Sequence, residues 1–133
     1  MKRTVSVAAL SVLLWASAAQ ADAVADRLAE YQAAGAGPFT AAAGETLWNS
    51  THPDPDGGAA RSCTSCHTAD LTQPGKHART GKVVDPMAPS VNPTRLTDGK
   101  KIEKWFLRNC KWTFGRECTP QEKGDVLSFI KSR

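Results

Sequence analysis

The pentapeptide CTSCH, residues 63–67, sets two thiols three positions apart and an imidazole directly after the second. On one helical turn, positions i and i+3 share a side. Cys63 and Cys66 can therefore reach the two vinyl groups of one haem while His67 turns beneath the iron, which is the pattern of c-type haem attachment. A redox dithiol of the Cys-x-x-Cys kind belongs in a βαβ chain context that the flanking sequence lacks. A zinc site needs further ligands nearby. The reading is one covalently attached haem c with His67 as an axial ligand.

Export agrees with that cofactor. The opening MKRTVSVAALSVLLWASAAQA has Lys2 and Arg3 as a positive end, an apolar run from Val5 to Trp15, and Ala19-Gln20-Ala21 as a small-residue cleavage site. Residues 1–21 are read as a signal peptide and residues 22–133 as a single mature cytochrome c domain in the periplasm. The apolar run is too short to cross a bilayer, and no later segment resembles a span. Without Lys2 and Arg3, 15 basic residues face 13 acidic ones, a net charge of +2 that gives no case for nucleic acid.

Outward from the motif, the chain reads as helices and loops without convincing strands. Residues 22–35 are alanine-rich, with Val24, Leu28 and Tyr31 at helical spacing and Gly35 as a stop. Residues 40–50 form a second helix anchored by Leu47 and Trp48. Residues 51–61 are a turn-rich loop, and residues 69–98, with four prolines and no sustained period, are a long ordered loop. Loops of that length are uncommon unless they line a site, and wrapping a haem edge is such a use. The last helix is signalled by Thr119, Pro120 and Glu122 as N-cap, first-turn proline and capping-box acid, followed by a stripe of Val126, Leu127 and Ile130.

The helix before it starts near Asp98 and carries Ile102, Trp105 and Phe106 at i, i+3 and i+4, which brings Asn109 to i+7 on the same apolar stripe. An amide buried there without partners costs on the order of 1 to 3 kcal/mol. Its partner is either the metal, a loop carbonyl, a haem propionate, or water at a frayed helix end. Met87, His77 and His52 also compete for the second axial position. Met87 lies only 20 residues after His67 in a proline-rich stretch, His77 is ten residues after it, and His52 reads as a solvated imidazole in the loop before the motif. Spacing alone leaves these alternatives open. Cys110 and Cys118, in an exported chain, are candidates for a disulfide.

The stretches CTSCHTADLT, ARTGK, MAPS, KWFLRNC and GRECTPQEKGDVLSFI resemble the SHP family, the small oxygen-binding cytochromes c named for the sphaeroides haem protein. The resemblance implies an all-α, single-haem fold like that of class I cytochromes c, with long haem-wrapping loops and the attachment motif late in the chain. It implies that His67 is the proximal ligand, that Asn109 binds ferric iron on the distal side and leaves on reduction, and that Cys110 and Cys118 form a disulfide beside that ligand. A related cytochrome has histidine where this chain has Asn109, so the residue here points to the oxygen-binding branch. Met87 matches a position that is no ligand in the family. Arg79 and Lys82, within ARTGK, are candidates for pairing with haem propionates.

The chemistry runs the same way. A neutral amide is a weak, hard donor that ferric iron holds, whereas ferrous haem prefers imidazole, thioether or a π-accepting diatomic. The expected function is a redox-gated binder of oxygen, nitric oxide or carbon monoxide that also takes electrons from c-type or b-type haem proteins. Lys100, Lys101, Lys104, Arg108 and Lys111 form either a merely solvated face, the reading that ranks first, or one that meets an acidic redox partner. An enzyme acting on oxygen or nitric oxide ranks behind it, because no acid–base dyad stands out, and a plain electron carrier using Met87 ranks third.

Overall fold

The computed structural model describes residues 22–133, so the export signal read in residues 1–21 lies outside the described residues. Within them the helices are α1 (Ala23–Ala33), α2 (Ala41–Asn49), α3 (Gly99–Phe114) and α4 (Pro120–Lys131). Each begins where a side-chain oxygen accepts a backbone N–H that has no helical partner. Asp22 serves α1, Thr40 serves α2, Asp98 serves α3 and Thr119 serves α4. Thr119 and Glu122 complete a reciprocal capping box. α3 ends on Gly115, whose φ of 70° suits a residue without a Cβ.

α2 and α4 cross at close range because Gly44 lets their backbones meet. A Cβ at Gly44 would lie 2.0 Å from the Asp125 carbonyl oxygen and 2.7 Å from Phe129 Cβ. Asp125, itself buried, then fastens the start of α2, accepting the Thr40 N–H at 2.8 Å. Behind this crossing lie Trp48, Leu71, Ala88, Val126, Phe129 and Ile130. A second cluster, Val24, Tyr31, Ile102 and Leu127, joins α1, α3 and α4. Full burial of a side chain such as Phe129 or Leu127 is worth roughly 1.5 to 3 kcal/mol.

Between α2 and α3 the chain is ordered by hydrogen bonds more than by periodic structure. Residues 75–84 contain a short antiparallel pair, β1 (Gly75–Lys76) and β2 (Val83–Val84), in a stretch whose residue pattern carries no sign of strands. Two residues are too few for an alternating pattern to register. The turn between them is held by the His77 ring, whose Nδ1 accepts the N–H groups of Arg79 and Thr80 at 3.3 and 3.2 Å. Further on, the Leu71 carbonyl accepts from both Met87 and Ala88, and the Arg95 guanidinium donates to the carbonyls of Pro86 and Asp85. These bonds satisfy the backbone of a segment that has few ladder partners.

Candidate functional site: a thiol- and imidazole-bearing cavity

Cys63–Ser65 forms a single 3-10 turn that opens on Ser62. The carbonyl of Cys63 accepts the N–H groups of Cys66 at 3.3 Å and His67 at 3.0 Å, which turns both thiols toward one side. The β1 strand lies tightly over this turn. Lys76 N–H donates to the Cys66 carbonyl at 2.8 Å, and Ala78 N–H points at Cys66 Sγ at 3.3 Å. Burial pushes the Cys63 thiol up to about 11.

His67 is backed by Trp48, their ring centres 5.4 Å apart and tilted by 39°. Trp48 is itself pinned, donating through Nε1 to the Thr68 carbonyl at 3.3 Å and packing on Phe129. Burial first, and then the positive charge of Arg95, lower the imidazole to about 4. At neutral pH the ring is uncharged and keeps a lone pair available for a metal.

A cavity of about 890 Å³ collects these groups. Cys63, Cys66, His67, Arg79 and Asn109 all lie on its wall, together with Cys110 and Cys118. Cys110 and Cys118 are joined in a disulfide that ties the end of α3 to the residue before the Thr119 cap. Lys82 is exposed and stands off the wall, its carbonyl accepting the His77 N–H. The stripe of Ile102, Trp105, Phe106 and Asn109 faces the cavity, so Asn109 is exposed and Trp105 is 50% exposed where a buried face was expected. Arg108 lies over the Trp105 ring at 5.3 Å.

The competing ligand candidates fall elsewhere or serve other ends. Met87 is on the wall but packs against the cluster of Trp48 and Leu71, the same tryptophan that backs His67. His77 is on the wall with Nδ1 engaged in its turn. His52 is no solvated imidazole: it accepts or donates at 2.8 Å with Ser50 and meets the Phe114 ring edge-on at 4.4 Å. Arg95 is a wall residue that sequence reading missed. Nothing in PTRLTD marks it, since its placement depends on the carbonyls of residues 85 and 86. Leu96 beside it takes a positive φ of 60°, a conformation that costs a non-glycine residue roughly 1 to 2 kcal/mol and is sustained by packing on both core clusters.

These residues suit a haem. The volume falls in the range of cofactor pockets, about 300 to 1,000 Å³, and the wall is chiefly apolar, from Leu96, Ile102, Phe106, Val126 and Ile130, with few polar groups. Two thiols and an imidazole converge on one side, and guanidinium groups suited to carboxylates stand at Arg79 and Arg95. A helical frame around such a cavity is that of a c-type cytochrome of the class I kind.

Comparison with known proteins fixes the family. The cytochrome c-type protein SHP of Cereibacter sphaeroides is 44% identical over 111 residues, covering 82% of this chain and 83% of that protein. The structure of oxidized SHP, described as an oxygen-binding cytochrome c, superposes with a TM-score of 0.74 at 44% identity over 83% of this chain and 96% of that one. Cytochrome c'' of Methylophilus methylotrophus is 37% identical over 87 residues, 65% of this chain and 60% of that protein. Its oxidized crystal structure gives a TM-score of 0.72 at 28% identity, over 83% and 94% of the two chains. A family model described as a domain of unknown function, DUF1924, matches residues 34–130. The chain belongs to the SHP family of c-type cytochromes, and the resemblance and fold read from the sequence are borne out.

Proposed function

We propose that residues 22–133 are a periplasmic monohaem cytochrome, its haem c bound through Cys63 and Cys66, that carries electrons and binds oxygen or another diatomic when reduced. The haem supplies a one-electron couple and, in the reduced state, an affinity for such ligands. His67, neutral at working pH, would hold the iron in both oxidation states. Asn109 would hold it through its amide in the oxidised state alone. Arg79 and Lys82 are offered as propionate partners, with Arg79 better placed because it is on the wall.

The supporting observation is that Asn109 faces the same cavity as Cys63, Cys66 and His67, from a helix end clamped by the Cys110–Cys118 disulfide. Asn109 is exposed on that wall, with Trp105 and Phe106 beside it. That SHP is described as oxygen-binding adds weight. Carbon monoxide titration of the oxidised and reduced protein tests the reading. Uptake confined to the reduced form is expected; a reduced form that takes up none contradicts it.

Electrons arrive, in this reading, from a c-type or b-type haem protein with an acidic face. Lys100, Lys101, Lys104 and Arg108 are exposed on α3, and the helix's own acid, Glu103, is turned inward to Lys123 at 2.8 Å. Steering by such a face weakens with salt, so the rate of reduction by an acidic donor should fall as ionic strength rises.

A further inference from the structure

Arg61 lies two residues before Cys63 yet reaches the last turn of α3, one turn beyond Asn109. Its Nη1 donates to the Trp112 carbonyl at 3.0 Å, and its guanidinium carbon lies 4.9 Å from the centre of the Trp112 ring. That carbonyl is among the last four of α3, which have no partner within the helix. A cation at this end also meets the negative pole of the helix. Nη2 is held 2.7 Å from Asp54 Oδ2, with the two side chains only 18% and 10% exposed. Solvent therefore screens this pair less than it screens a surface ion pair.

The rest of the 51–61 loop follows the same course. The backbones of His52 and Arg61 exchange two hydrogen bonds of 2.8 Å, the His52 ring meets Phe114, and Pro55 packs against Gly115. Trp112 and Phe114 are on the cavity wall, whereas Arg61 and Asp54 stand behind it. One stretch of backbone thus carries the attachment turn and also grips the helix that presents Asn109.

We propose that Arg61 is a positioning residue that sets the spacing between the His67 side of the cavity and Asn109, and so strengthens the hold of Asn109 on the oxidised cofactor. The inference rests on Asn109 being the conditional ligand. A weak donor depends on preorganisation to within about 0.5 Å, and a helix end free to drift would lose it. Asp54 acts through Arg61 by fixing the guanidinium.

The test measures midpoint potential and oxidised-state spectrum in Arg61→Gln, Arg61→Lys, Asp54→Asn, Asn109→Ala and the Arg61→Gln/Asn109→Ala double variant. A ligand that binds only the oxidised state lowers the potential, so weakening it tenfold raises the potential by up to about 59 mV for one electron. Arg61→Gln should show that rise, with Arg61→Lys between it and wild type because lysine keeps the charge without the planar fork. Loss of positive charge alone favours the oxidised state and lowers the potential, so the direction separates positioning from electrostatics. In the Asn109→Ala background, Arg61→Gln should move the potential no further in the upward direction. An equal rise with and without Asn109, or no rise with Asn109 present, overturns the proposal. If Asn109→Ala by itself leaves the oxidised spectrum unchanged, the ligand reading fails instead. Should Arg61→Gln not mature with haem, Asp54→Asn, paired with Asn109→Ala, gives the same cycle.

Discussion

Gly75 sits against Cys66 so closely that a Cβ built on it would lie 2.0 Å from the Cys66 carbonyl oxygen and 3.0 Å from His67 Cα. The contact is with backbone, which has no flexible end to yield. Gly75→Ala should displace β1 from the Cys63–His67 turn and cost roughly 1 to 3 kcal/mol of stability, read by thermal unfolding. An unchanged melting temperature would show that the hairpin does not brace the turn.

The α2–α4 crossing gives a second, independent expectation. Gly44→Ala brings a methyl within 2.0 Å of the Asp125 carbonyl oxygen, and the helices must part. A loss of about 1 to 3 kcal/mol is expected in denaturant unfolding, with the oxidised spectrum retained in the folded fraction, because Gly44 is not on the cavity wall.

The disulfide offers a third. Cys110 and Cys118 close a loop with a sequence separation of 8, worth about 2.5 kcal/mol in the chain-entropy description. The paired Cys110→Ser and Cys118→Ser variant should lose stability of that order in chemical unfolding. It should also shift the oxidised spectrum, since Asn109 adjoins Cys110 at the clamped helix end.

A fourth concerns pH. Tyr31 on α1 donates its hydroxyl to Glu103 on α3, and Lys123 on α4 donates to the other oxygen of Glu103 at 2.8 Å. Burial alone would raise the Glu103 carboxyl, but the hydrogen bonds from Lys123 and Tyr31 outweigh it and hold the carboxyl below its ordinary 4.5. Burial first, then the bond to Glu103, raise the Tyr31 hydroxyl well above its ordinary 10.0. A depressed acid stabilises the fold above its unfolded value and loses that contribution as pH falls through its folded one. A raised phenol stabilises below its unfolded value and loses that contribution as pH climbs through its folded one. The linkage therefore contributes fully between about pH 4.5 and 10. Glu103→Gln should flatten the acid limb of the stability profile, measured by melting temperature against pH.

What the sequence made legible follows from which signals are local. The turn at Cys63–Ser65 is spelled by adjacent residues, and the Thr119–Glu122 box needs only three intervening bonds to specify a helix start, so both are readable directly. The stripe ending at Asn109 was readable as apolar, but periodicity reports only that a face avoids water. It does not separate a face packed on protein from one turned to a cavity, which is why Trp105 and Asn109 proved exposed. Arg95, the Arg61–Trp112 contact and the His52–Phe114 pair depend on segments distant in sequence and carry no motif. The two-residue strands go with the close approach of Gly75 to the Cys66 backbone, a tertiary constraint that no β-propensity encodes.

Redox gating turns on Asn109, and the most direct measurement compares the absorption and magnetic resonance spectra of wild type and Asn109→Ala in both oxidation states. The expected result is an oxidised spectrum altered by the substitution, a reduced spectrum left nearly as it was, and carbon monoxide uptake retained after reduction. An oxidised spectrum identical to wild type would mean that another group, or none, stands opposite His67, and the redox-gated reading would be wrong.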